Sequence, residues 1–389
     1  MTQTAMSPLT VAPEIKHAPD TMTAAFEDFM GAFESFKETN DRRLAEIEGK
    51  LTADVVTREK MDRISRAMDE QKRTMDNMLL KKARPVLGRP TPCVGRQREL
   101  TTLAATLDEV LEEPVARAVL LTGPAGIGKS RIRHEFEAMA RARCPDMEVW
   151  SVRGDPQRAG SAFVLLAPLL RRITGIQMSE RTPVRRQKLR ARVGRNVPPG
   201  ERQRVAEFLG EVIETYFPDA ESARLRNARV DASLMAAEVR RAWVDLITAE
   251  ADARPLMLVL EDIQWADVLS VRHVDAALRA AGELPLFVLA VGRPEVHEAF
   301  PRMWIERGVQ ELRIGPLTRR SVETLARHGL GDRVDGPTLT RIVERAGGNA
   351  FYLEELIRSV AAGRGLSLPG TVLAMVHARL GALDAAARR

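Results

Sequence analysis

The chain has 389 residues, 44% hydrophobic and 29% charged, with a formal net charge of +6. That composition excludes a disordered or fibrous chain and supplies enough apolar material for two or three domains. Only two cysteines occur, Cys93 and Cys144, far apart and in no ligand spacing, which excludes a disulfide framework and a zinc site and favours a reducing, cytoplasmic compartment.

No apolar run reaches the length of a membrane span, and the acidic N-terminus does not read as a signal peptide, so no membrane partner is expected. Residues 1–20 carry Pro8, Pro13 and Pro19 without periodicity and read as a disordered lead. From Phe26 the apolar positions Phe29, Phe33, Phe36, Leu44, Ile47 and Leu51, then Met61, Ile64, Met68, Met75 and Met78, recur mostly in steps of three and four. With alternating charges between them, this is the pattern of an amphipathic helix or coiled coil over residues 21–84. Its stripe is too narrow to stand alone, so self-association or a partner helix is expected. The phrases FKETNDRRLAEIE, DVVT and KKARPVLGR resemble the N-terminal scaffold-like region of major capsid proteins of tailed phages and gene-transfer agents. That resemblance implies a coiled coil with a role in shell assembly, and it covers under a fifth of the chain.

Pro85, Gly88, Pro90 and Pro92 break helix and mark a linker over residues 85–92. Further on, the apolar run Ala118, Val119, Leu120 and Leu121 stops at Gly123, Pro124, Ala125, Gly126, Ile127 and Gly128, and Lys129 and Ser130 then open a helix. Strand, glycine loop and helix N-terminus in that order suit phosphate binding: small residues let backbone N–H groups converge, and the helix dipole adds positive potential. Lys129 supplies a charge for the outer phosphates, and Ser130 is placed to ligate Mg²⁺.

MEVWSV, residues 147–152, reads as a short strand, followed by a mostly helical stretch over residues 162–250. This stretch holds Arg181, Arg185, Arg186, Lys188, Arg190, Arg192 and Arg195, which read as a solvated helical face or as a polyanion patch; no aromatics interleave to stack nucleic-acid bases. LMLVLED, residues 256–262, describes a buried parallel strand that delivers Glu261 and Asp262 to its ligand-facing edge. One carboxylate can hold Mg²⁺ while the other orients or deprotonates water. Position puts Glu261 on the metal side and Asp262 as base, although Asp is the commoner metal partner and the roles can be exchanged. Trp265 reads more readily as core packing. Residues 284–291 form a further buried strand, ending near Arg293, which either reaches a phosphate or faces solvent.

Several phrases resemble the signal-transduction ATPases with numerous domains, the STAND branch of the AAA+ ATPases. They are Cys93-Val94-Gly95-Arg96-Gln97-Arg98-Glu99-Leu100 against that family's "VGR-x-x-EL", Trp265-Ala266-Asp267 against "WAD", the run from Leu312 to Leu317 against "L-x-P-L", and Gly347-Gly348-Asn349-Ala350-Phe351 against "GGNPF". The resemblance implies an α/β P-loop NTPase parallel sheet with a helical lid: a core over 93–310, a lid over 311–366 and the start of a winged-helix module over 367–389. It also implies that Val94, Gly95 and Arg96 lie against adenine and that Arg293 senses the γ-phosphate. Ala350 replaces a proline that walls the adenine pocket. The function implied is an ATP-binding, slowly hydrolysing regulatory switch using ATP and Mg²⁺. The alternatives are an assembly protein acting through residues 21–84 and, on the basic charge, a nucleic-acid-binding transcriptional regulator.

Overall fold

The computed structural model describes residues 92–365, apart from 159, 221, 332, 333 and 364. The expected lead 1–20, the helical segment 21–84 with its assembly and self-association readings, the linker up to residue 91 and the winged-helix start at 367–389 lie outside the described residues.

Five strands, β1 (Arg117–Thr122), β2 (Glu148–Arg153), β3 (Leu256–Glu261), β4 (Leu286–Gly292) and β5 (Gln310–Arg313), form one sheet in the order β2-β3-β4-β1-β5, all pairs parallel. LMLVLE and LFVLAVG show no polar alternation because both their faces are covered, and each is buried along its whole length. The pleat sorts their side chains into two cores. Leu120, Leu258, Leu260, Val288 and Ala290 pack against the long helical stretch on one face. Val119, Leu121, Met257, Val259 and Leu289 meet α1 (Gln97–Glu112) and α2 (Lys129–Arg143) on the other.

Strand β4 begins two residues later than the apolar run suggests. Pro285 has no N–H to give an internal ladder, and Leu284 instead turns back to bond Ala281. β5 carries no apolar run: QELR is an edge strand paired with β1 alone and largely exposed, so hydrophobic pattern could not reveal it.

Between β2 and β3 lie α3 (Leu166–Thr174), α4 (Thr182–Val193), α5 (Arg202–Val212), α6 (Ala223–Val230) and α7 (Ala232–Ala253). In the basic cluster, Arg181, Arg190 and Arg195 are exposed, and the others are buried or half-buried. Arg192 is buried, paired with Glu250 through its two terminal guanidinium nitrogens, and lies 5.1 Å over the Trp150 ring. Arg186 donates to the Tyr216 carbonyl at 2.6 Å, Arg190 sits 5.0 Å over Phe217, Arg185 bonds the Glu214 carbonyl, and Lys188 holds Glu180 and the Gly175 carbonyl. These contacts tie several of the cations to the helical layer, in addition to whatever face Arg181, Arg190 and Arg195 present to solvent.

After β3 comes α8 (Val268–Ala280), and after β4 the short α9 (Val296–Ala299). The chain then leaves β5 for three helices, α10 (Arg319–Leu330), α11 (Gly336–Ala346) and α12 (Ala350–Ala361), which close around their own core of Leu317, Val322, Ala326, Ile342, Leu353 and Leu356. Thr318, Asp335 and Asn349 cap the three N-termini with their side chains. Among the described residues no helix is long and apolar enough to cross a membrane.

Candidate functional site

The loop from Gly123 to Gly128 leaves β1 between β4 and β5, at the C-terminal edge of the sheet, and runs into α2. Gly126 and Gly128 take φ of 77° and 106°, a region that side-chain-bearing residues rarely visit. Lys129 folds back so that Nζ donates to the carbonyls of Gly123 at 2.6 Å and Pro124 at 2.9 Å. Burial pushes the Lys129 ammonium below its usual range, and Arg293 adds to this, while Asp262 and Glu295 oppose it.

A cleft of about 410 Å³ opens over this loop, with the sheet edge on one side and the lid on the other. Its lining brings together apolar side chains, Val94, Leu317, Leu325, Leu353 and Ile357, and the polar or cationic Arg96, Lys129, Ser130, Arg131, Arg133, Arg153 and Arg293. Pro124 is exposed, and Ala125, Gly126, Ile127 and Gly128 line the cleft floor.

Of the Val94-Gly95-Arg96 turn, Val94 and Arg96 line the cleft. Arg96 is buried, and its guanidinium donates at 2.9 Å to both the Ile127 carbonyl and the Gly315 carbonyl, tying the phosphate loop to the chain leading into the lid. Gly95, at φ 71°, is pressed against α10: a Cβ there would stand 2.3 Å from Ser321 Oγ.

The two carboxylates at the end of β3 part company. Glu261 is the last strand residue, 9% exposed, with Oε2 3.5 Å from Arg133 Nε. Burial pushes its carboxyl up, against the pull of Arg133 and Arg153. Asp262 breaks the strand in a left-handed conformation, φ 51°, lines the cleft, and accepts from Arg153 Nε at 2.5 Å. Arg293, just beyond β4, also lines the cleft, with its backbone N–H on Gln264 Oε1 at 3.1 Å.

Trp265 is half-buried beside Gly154, where a Cβ would come within 3.2 Å of its own. Asp267 is buried; it caps α8 through Ser270 N–H and also accepts from Val164 N–H at 2.8 Å, so it serves the architecture behind the site. Among the described residues no three His, Cys, Asp or Glu side chains cluster to hold a metal ion. A divalent cation here would need a hydroxyl, one carboxylate and the ligand's own oxygens, which is the coordination Mg²⁺ takes with phosphates. Of the donors of that type, Ser130 and Asp262 line the cleft, and Glu261 is the buried residue next to Asp262 at the end of β3.

Sequence reading missed Arg131, Arg133 and Arg153. Arg153 was within reach, since it ends β2 at the same sheet edge as Glu261 ends β3, and strand ends face the ligand crevice in open α/β sheets. Arg131 and Arg133 lie in the first turns of α2 and look like ordinary helix arginines, as the Arg131–Glu135 pair is, until Glu261 is placed beside Arg133.

The AAA ATPase domain family matches residues 92–289. Among curated proteins, an uncharacterized protein of Rhizobium meliloti (strain 1021) is 24% identical over 210 residues, covering 52% of this chain and 19% of that protein. The chain thus spans about a fifth of that relative's length. Among solved structures, the Aeropyrum pernix ORC1 protein in complex with DNA is similar with a TM-score of 0.43 at 17% identity, over 75% of this chain and 67% of that one. A STAND protein with a tetratricopeptide repeat sensor from Pyrococcus horikoshii is similar with a TM-score of 0.38 at 11% identity, over 76% of this chain and 34% of that one.

Proposed function

The chain belongs to the AAA ATPase domain family, and on that footing we propose that it binds MgATP in the cleft between the phosphate loop and the lid and works as a regulatory switch of the STAND kind, reset by slow hydrolysis. The observation that carries this reading is a cleft lined both by apolar side chains and by the cations Lys129, Arg131, Arg133, Arg153 and Arg293, set between two separate cores. A ligand with a flat base and a polyphosphate tail bridges those two cores, so its binding free energy favours the closed arrangement of sheet and lid.

In this reading the N–H groups of the loop and Lys129 bind the phosphates, Val94, Arg96 and the apolar lid side chains wall the base, and Arg293 reaches the outer phosphate. Ser130 and Glu261 would hold Mg²⁺, which would neutralise charge on the phosphate oxygens. Asp262, on the open side of the β3 end, orients the attacking water and accepts its proton. Arg133 supplies the opposite charge beside buried Glu261.

Lys129→Ala is expected to abolish measurable MgATP binding, and unchanged affinity overturns the site. Asp262→Asn is expected to lower turnover on the order of 100-fold or more with MgATP affinity retained, and wild-type turnover would remove Asp262 as base.

A further inference from the structure

The carbonyls of the phosphate loop are all claimed by donors outside the cleft floor. Lys129 Nζ takes Gly123 and Pro124. Asn349 Nδ2 takes Ala125 at 3.0 Å, the Phe351 backbone N–H takes Gly126 at 3.0 Å, and Arg96 takes Ile127 at 2.9 Å. In a trans peptide the C=O and the following N–H point in opposite directions. Fixing the Ala125, Gly126 and Ile127 carbonyls on these donors therefore fixes the orientation of the Gly126, Ile127 and Gly128 N–H groups, the donors a loop-bound anion needs. Two of those three carbonyls are held by the lid.

Asn349 does two things with one side chain. Its Oδ1 accepts from Phe351 N–H at 3.0 Å and Tyr352 N–H at 3.2 Å, capping α12, and its Nδ2 reaches back to the loop. The cap also fixes the Phe351 N–H that bonds Gly126. Gly126 fits this contact closely: a Cβ there would stand 2.7 Å from Asn349 Oδ1 and 2.9 Å from Phe351 Cβ.

We propose that Asn349 is a positioning residue of the phosphate site, through which the docked lid sets the peptide orientation of the loop tip, so that phosphate affinity depends on lid position without any lid side chain touching phosphate. This rests on the reading of the cleft as an ATP site. It makes the coupling reciprocal: what orders the loop on phosphate also strengthens the lid's hold.

The test is the affinity of the full chain for MgATP and for AMP, with Asn349 replaced by Ser or Asp. Both residues keep the helix cap, whereas Ser is too short to reach Ala125 and Asp presents an acceptor where the donor stood. Loss of one neutral hydrogen bond corresponds to roughly two- to tenfold in affinity. MgATP binding is expected to weaken by about that factor in Asn349→Ser, and further in Asn349→Asp, while AMP binding changes little, so the preference for ATP over AMP shrinks. Wild-type MgATP affinity in both variants overturns the proposal. Equal weakening for ATP and AMP also overturns it, since that marks a general lid defect. A wild-type chain that binds no MgATP refutes the ATP reading instead.

Discussion

Gly126→Ala perturbs the junction of loop and lid at one atom. Gly126 sits at φ 77°, where a non-glycine residue costs roughly 1–2 kcal/mol. The added Cβ would also lie 2.7 Å from Asn349 Oδ1 and 2.9 Å from Phe351 Cβ. Both belong to the capped start of α12, which cannot rotate aside as a flexible side chain would. The lid therefore has to withdraw, stretching the Asn349–Ala125 and Phe351–Gly126 hydrogen bonds, each worth about 1 kcal/mol. Together the two bonds put about 2 kcal/mol against the docked lid, on the order of 30-fold in its docked population. The sheet is untouched, so the loss should appear as faster trypsin cleavage between β5 and α10, around Arg313, with little change in the main unfolding transition. Gly128→Ala is the control: its φ of 106° imposes backbone strain, but its Cβ would meet only Ala350 Cβ, at 3.7 Å. Gly128→Ala should leave the lid protected. Equal protection of wild type and Gly126→Ala, or equal exposure in both variants, refutes the reasoning.

Arg192→Ala strands the buried Glu250 carboxylate and should lower stability by roughly 3–5 kcal/mol in denaturant titration, whereas Arg192→Met with Glu250→Leu recovers most of it; a double variant as weak as the single contradicts a structural role for this pair. Glu311 feels burial that raises its pKa, but hydrogen bonds from Arg313, Thr122 and His297 outweigh this and hold it down at about 2, against an ordinary 4.5. Because the folded value is the depressed one, its stabilisation is present above about pH 4.5 and is lost as pH falls toward 2. Discounted for its partial exposure, the difference between wild type and Glu311→Gln should be about 1–2 kcal/mol at neutral pH and should vanish near pH 2. A gap independent of pH would contradict that assignment.

The sheet and the phosphate loop were legible because their signals are local. Short continuous apolar runs bounded by turns fit strands with both faces covered, and Gly123 to Ser130 carries its geometry in its spacing. β5 was not legible, since an edge strand such as QELR needs no apolar pattern. Nor was the fate of the α4 arginines, whose partners Glu250, Glu214 and Tyr216 come from later in the chain and are chosen by packing. The Glu261–Asp262 pair shows the boundary most clearly. Adjacent acids in sequence are alike, and only the left-handed turn at Asp262 opens one to the cleft while the other stays buried against Arg133. Asn349 could be read as a helix cap, but its reach to Ala125, far away in the chain, could not.

The central claim is that this cleft holds MgATP, and calorimetric titration of the full chain with MgATP, beside Lys129→Ala, tests it most directly. Saturable binding at one site in the wild type and none in Lys129→Ala is the predicted result. No binding in the wild type, or equal binding in both, contradicts it.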